Sequence, residues 1–346
     1  MKSFLSRIDR NYNFSKKNFA KIHKSRYWEK STKRKEGLFS SSNLKNFRSN
    51  GLSDNIDEFF ISKKKFDSLI KFLIKNYDEK FVLRLLNNQN IGNCKYYKTY
   101  KNKIITPTDI SVIYYLEKLI KNVDIKRLSV ACEIGQGFGM FASKLLKLKK
   151  LKMIFIDLPE SNFITAYYLH KVFPKKKIIL DIDLKNKKTL DLKILKKGDI
   201  FILSPKISLG DIKVDLFINM RSMMEMNIDV IKKYFDLIHG KISTNGFFFS
   251  VNRYYKDLVG YPIEFHSYPY DNYWKVVKSM NSKLQKSAHI LLTKRVSFFS
   301  NSINSELKKI KKIHHQKIKL DPFFFRRYLP PVIYSFYKKI KFFFSK

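Results

Sequence analysis

The chain has 346 residues, 44% hydrophobic and 15% aromatic, enough for one sizeable core and too apolar for a disordered polymer. Its 70 Lys+Arg against 29 Asp+Glu give a formal charge of +41, which invites nucleic acid or an anionic membrane surface as a partner. Lysine carries most of that charge, whereas bidentate phosphate and base contacts favour arginine, so nucleic-acid binding (an enzyme acting on RNA or an RNA-binding protein) is the secondary reading.

Residues 1–55 are rich in Lys, Ser and Asn and predict a basic, partly disordered arm. From Ile56 to Leu86, apolar residues such as Phe66, Leu69, Ile70, Leu73, Val82 and Leu85 recur at three- and four-residue spacing, which predicts one or two amphipathic helices. A polar turn at Asn90–Asn93 precedes another helix from about Thr108 to Lys121, with Thr108-Asp109 as its N-terminal cap. Residues 56–125 therefore read as a helical cap on the domain C-terminal to them.

From about Arg127 short β-rich runs alternate with helical ones. Strands are expected at Leu128–Ile134, Met153–Asp157, Lys177–Leu180, Asp199–Leu203, Leu216–Asn219 and Gly246–Val251. Helices are expected at Met140–Leu148, Glu160–Phe173 and Asn227–His239. Such alternation predicts an α/β, Rossmann-like domain over 126–300, a mostly parallel sheet flanked by helices.

Between the first strand and its helix stands Glu133-Ile134-Gly135-Gln136-Gly137-Phe138-Gly139. Glycines there let the backbone approach a ligand, and the helix start offers free N–H groups to an anionic group. The spacing is not the G-x-G-x-x-G that cradles a pyrophosphate, and this favours S-adenosyl-L-methionine, whose anionic group is a carboxylate. Asp157 closes the next strand, where its carboxylate can accept from both ribose hydroxyls. Glu133, Gly135, Gly137, Gly139, Asp157 and Asn219 are the expected cofactor contacts. Two segments compete to wall the adenine, Lys177–Leu180 and Gly198–Pro205.

Arg221 and Glu225 leave the strand ending at Asn219, where ligands of open α/β sheets sit, and can bind hydroxyls or act as base. The methionines among them, Met220, Met223, Met224 and Met226, read as core packing.

The segment from Asn90 to Arg295 resembles the bacterial sugar O-methyltransferases within the class I methyltransferases. The resemblance is carried by Ile91-Gly92-Asn93, Glu133-Ile134-Gly135, Asp157-Leu158-Pro159-Glu160 and Asp215–Asn219 leading into Arg221–Asn227. Asn252-Arg253-Tyr254, Gly260–Ile263, Tyr268–Asp271 and Trp274 continue it. It implies methyl transfer to a sugar hydroxyl in surface-polysaccharide synthesis, with a sugar, nucleotide sugar or lipid-linked glycan as acceptor. Where that family often has Gly-Gly-Gly-Tyr-Gly, Gln136 and Phe138 fill the variable places.

Arg253, Tyr254, Tyr270, Asp271 and Trp274 form a polar-aromatic set suited to a sugar face, and His266 joins Glu225 as a candidate base. No His, Cys or acidic residues stand at metal-ligand spacing, so no metal is expected. Two cysteines, Cys94 and Cys132, are too few for a disulfide framework and fit a reducing compartment. With no apolar run near the roughly 18 residues that span a bilayer, and no signal-like N-terminus, a cytoplasmic protein is expected. Residues 301–346 form a basic tail whose aromatics, from Phe323 to Phe344, suit a membrane interface, the protein's own surface or a second copy in a homodimer.

Overall fold

The computed structural model describes residues 2–18, 24–53, 62–184, 187–256 and 262–319. Tail residues 322–346 and the Gly260-Tyr261 pair lie outside this range. The N-terminal region forms α1 (Lys2–Asn18) and α2 (Arg26–Arg34), followed by α3 (Lys63–Asn76), α4 (Glu79–Leu85), the hairpin β1 (Lys98–Tyr100) and β2 (Lys103–Ile105), and α5 (Pro107–Ile120). The α/β region then runs β3 (Val130–Ile134), α6 (Met140–Leu148), β4 (Lys152–Ile156), α7 (Pro159–Val172), β5 (Ile178–Leu180), α8 (Leu192–Lys197), β6 (Ile200–Leu203) and β7 (Val214–Met220). It closes with α9 (Ile228–Lys241), β8 (Ile242–Arg253), β9 (Tyr255–Lys256), β10 (Ile263–Glu264), β11 (Trp274–Asn281), β12 (Ala288–Arg295) and α10 (Ser302–Lys319).

Eight of these strands form one sheet in the order β11-β12-β8-β7-β3-β4-β6-β5. The pairings from β5 through to β8 are all parallel, while β12 lies antiparallel to both β8 and β11. Both faces are covered, so the central strands are apolar throughout rather than alternating. Ala131, Met153, Phe155, Leu216 and Ile218 enter one core with residues of α5, α6 and α7. Their neighbours Cys132, Ile134, Ile154, Phe201 and Phe217 enter the other with residues of α9. Strand order reverses at β3, which has β4 on one side and β7 on the other, so the ligand crevice falls at the C-terminal ends of these strands.

The N-terminal arm, expected to be partly disordered, is mostly helical where described, with turns and bends at 47–53. Phe4, Ile8 and Tyr12 recur every four residues on α1 and dock against α7, with Phe4 stacked on His170 at 3.9 Å and Tyr12 against Phe163 at 5.2 Å. Ser15 Oγ donates to buried Asp181 at 2.7 Å, and Arg7 pairs with Asp183. In α5 the cap is Thr106, two residues earlier than expected. Its hydroxyl accepts from Asp109 N, Asp109 returns a bond to Thr106 N at 2.9 Å, and Pro107 takes the first helical position. Both strands considered for the adenine wall belong to the sheet, β6 beside β4 and β5 at the edge. Among the described residues no helix is long and apolar enough to cross a membrane.

Candidate active site

One cavity of about 230 Å³ opens at the strand-order reversal. Its floor is the turn from β3 into α6. Gly135, Gly137 and Gly139 all take positive φ, at 69°, 60° and 82°, a conformation that costs other residues strain. Their surroundings differ. A Cβ on Gly135 would stand 1.9 Å from Ser222 Oγ, one on Gly139 would stand 3.1 Å from Thr165, and one on Gly137 would meet nothing within 4 Å. Backbone at Gly137 is thus laid open, and Gly137, Gly135 and Gln136 all line the cavity.

The loop is pinned from below and above. Gly135 N donates to Ile156 O at 2.9 Å, which ties the turn to β4. Asn219 lies beneath it, fully buried, donating to Ile134 O at 2.8 Å and to Ser222 Oγ at 2.6 Å while accepting from Asn252 at 2.8 Å. Phe138, which also lines the cavity, packs on Phe47 and Tyr168, at 5.3 and 5.1 Å, under the Arg48 guanidinium. The Ile91-Gly92-Asn93 turn seats Phe47 and Arg48. Gly92 O accepts from Arg48 N at 2.9 Å, and a Cβ on Gly92 would strike the Phe47 ring at 2.3 Å.

Two acids frame the loop. Glu133, buried, accepts from Ala142 N in the first turn of α6 at 3.3 Å; burial, reinforced by Asp157, pushes its carboxyl up to about 8. Asp157, half-buried at the end of β4, accepts from Gly137 N at 3.1 Å and Leu158 N at 2.7 Å. Burial raises it to about 7, against these hydrogen bonds. Gln136 Nε2 donates to Asn162 at 2.8 Å, while its buried Oε1 has no hydrogen-bond partner among the described residues. The site thus offers two carboxyls, an unused acceptor and exposed backbone to a polar ligand.

Leu158, Val230 and Tyr234 line the cavity on the Asp157 side, and neither of the strand ends expected to wall an adenine reaches it. The lining is completed by Thr108, Ser111 and Tyr115 of α5, Trp28 of α2, and Arg221, Met224 and Glu225 after β7. Arg221 holds φ at 62°, a left-handed conformation rare for a residue with a Cβ, fixed by its N–H bond to Val251 O at 2.7 Å. Glu225 accepts from the buried ammonium of Lys256, whose pKa burial lowers against the pull of that carboxylate. Met224 lines the cavity and is not only core filler.

The structure brings Glu133, Gly135, Gly137, Asp157, Arg221 and Glu225 to one cavity. Gly139 lies just behind it as the cap of α6, and Asn219 supports the floor without lining it.

The Arg253-to-Trp274 set lies elsewhere. Tyr254 is buried with its hydroxyl on His289 Nδ1 at 2.8 Å, Tyr270 packs on Phe235 at 4.8 Å, and Trp274 is fully buried. Asp271 pairs with Arg295, and Arg253 N meets Met224 Sδ at 3.4 Å. Aromatic area that could have stacked on a ligand is spent on the core beneath β8 and α9. His266 does not line the cavity either and stands beside Glu264 and His314. Trp28, Ser25 and Ser53 were missed, because only the tertiary fold of residues 24–53 brings them to the cavity and no local pattern marks it.

No protein-family model and no curated protein matches the sequence. Solved structures resemble it at low identity. The mitomycin 7-O-methyltransferase MmcR is 12% identical over 54% of this chain and 55% of that one, with a TM-score of 0.37. The pyocyanin biosynthetic protein PhzM is 8% identical over 55% and 56%, with a TM-score of 0.39. Magnesium protoporphyrin IX methyltransferase ChlM from Synechocystis PCC 6803 is 11% identical over 54% and 78%, with a TM-score of 0.38. The match spans little more than half the length of the first two. The fold is Rossmann-like. A parallel sheet reversing at β3, with an antiparallel strand inserted beside β8, gives it that topology.

Proposed function

We propose that the chain is an S-adenosyl-L-methionine-dependent O-methyltransferase acting on a sugar hydroxyl. The observation that carries the cofactor is the open backbone at Gly137, framed in one cavity by Glu133 and Asp157. The bound cofactor would supply an electrophilic methyl group on a sulfonium. Asp157 would take the ribose hydroxyls, and Glu133 with Gln136 Oε1 would take the ammonium of the amino-acid end. The helix start at α6 favours the accompanying carboxylate.

The acceptor reading rests on four further lining residues, Trp28, Tyr115, Arg221 and Glu225, together with the sequence resemblance. Trp28 and Tyr115 offer apolar faces, and Arg221 and Glu225 offer a donor fork and an acceptor, the groups a sugar ring calls for. Glu225 can take the hydroxyl proton as the acceptor oxygen is alkylated, and Lys256 holds that carboxylate in place. Arg221, fixed by its backbone, can orient neighbouring hydroxyls or a phosphate of a nucleotide sugar or lipid-linked glycan.

Methyl transfer from labelled cofactor to a panel of nucleotide sugars, with an RNA arm, tests this reading. Label in a nucleotide sugar supports it, and label only in RNA moves the assignment to the polyanion reading suggested by the +41 charge. In the active case Glu225→Gln is expected to lower kcat about 100-fold or more while leaving cofactor affinity unchanged.

A further inference from the structure

Glu264, His266 and His314 meet on the far side of the β9–β10 ribbon from Glu225. Each can offer one ligand atom, and these atoms all lie within 4.8 Å of one another. His266 Nε2 is 3.4 Å from Glu264 Oε2, and His314 Nδ1 is 3.8 Å from Glu264 Oε1. Both exceed a good hydrogen bond, and both are close to the about 3.3–3.5 Å that separates ligand atoms around a tetrahedral ion with bonds of 2.0–2.2 Å. Side-chain rotation can close the rest. His266 and His314 have side chains only 10% and 3% exposed, and His266 Nδ1 is buried with no hydrogen-bond partner among the described residues. Glu264, at 33%, opens the cluster to solvent and gives an ion its way in. His315 is exposed beside them, its ring 6.4 Å from that of His266.

We infer that Glu264, His266 and His314 form a binding site for a divalent transition-metal ion, with zinc the best match to two imidazoles and a carboxylate. Three protein ligands leave a fourth position for water. The ligands come from β10, the turn after it and α10, so the ion would clamp the last described helix to the ribbon. Within that ribbon Ile263 pairs with Lys256, the residue holding Glu225. The site would thus brace the acceptor side of the cavity from outside it.

The test uses the untagged full-length chain freed of metal by chelator. Cobalt(II) is expected to bind at one ion per chain with the strong visible bands of a tetrahedral site, to be displaced by one zinc, and to raise Tm. His266→Asn and Glu264→Gln should each lose the bands and the Tm rise while keeping the far-ultraviolet circular dichroism of the parent. No stoichiometric cobalt in the parent, or bands that survive both substitutions, would overturn the site. Neither readout needs cofactor or acceptor, so failure here leaves the proposed methyl transfer untouched.

Discussion

Gly135, Gly137 and Gly139 share a left-handed backbone but not a reason for it, and the difference is measurable. Gly137→Ala should cost only the strain of that conformation, about 1–2 kcal/mol. Gly135→Ala must also expel Ser222 from its bonds to Asn219 and Ile134, so roughly 2–5 kcal/mol is expected once the buried partners left unsatisfied are added. Urea denaturation of the two variants checks the order, and equal costs would contradict it.

The two framing acids give a pH signature. Asp157 and Glu133 are raised to about 7 and about 8 from ordinary carboxylate values, so in the free chain folding favours their protonated forms. Their contribution to stability is full below the unfolded values near 4 and is lost as pH rises through 7 to 8. Cofactor affinity should run the opposite way. Ribose hydroxyls and an ammonium both prefer carboxylates, so binding tightens as pH rises through that window. Asp157→Asn should flatten much of both trends, read by thermal melts and by calorimetry across the same pH range.

At the scale of elements, α5 and α6 are joined by Lys144 Nζ and Asp109 at 2.5 Å, both side chains nearly inaccessible. Removing one charge of such a pair leaves the other stranded, which costs about 3–5 kcal/mol, whereas removing both can be nearly neutral. Asp109→Asn is expected to lower stability by that amount, and adding Lys144→Met to restore most of it, with chemical denaturation as the measure. Elements whose signal is local were legible. The glycine turn, Asp157 and the runs that became β3, β4, α6 and α7 are each contiguous, and their boundaries fall within a residue or two of expectation. Strand β11 was missed because it lies at the sheet edge with a mixed exposure pattern and lysines at positions 275 and 278, so no alternation marks it. The α1 signal was present in the spacing of Phe4, Ile8 and Tyr12 but was outweighed by the basic composition around it. Asn252 to Trp274 misled for the opposite reason. Its aromatics are as apt for a core as for a sugar, and only the fold shows that Tyr254, Tyr270 and Trp274 turn inward. Glu264, His266 and His314 could not be joined from sequence, since 50 positions separate the first from the last.

Across the whole molecule the cavity is a joint product. The C-terminal ends of the sheet strands supply Glu133 and Asp157, α5 supplies Thr108, Ser111 and Tyr115, and α2 adds Trp28. The arm is therefore part of the site, and the basic surface serves capture of a phosphate-bearing acceptor in this reading rather than defining the chemistry. All of this turns on what occupies the space between Glu133 and Asp157. Calorimetric titration of the full-length chain with S-adenosyl-L-methionine should show one site per chain, and Asp157→Ala should weaken it at least about tenfold, since each charge-assisted hydrogen bond contributes about 1.5–3 kcal/mol. No binding by the parent chain, or binding that Asp157→Ala leaves unchanged, would contradict the assignment of this cavity to the cofactor.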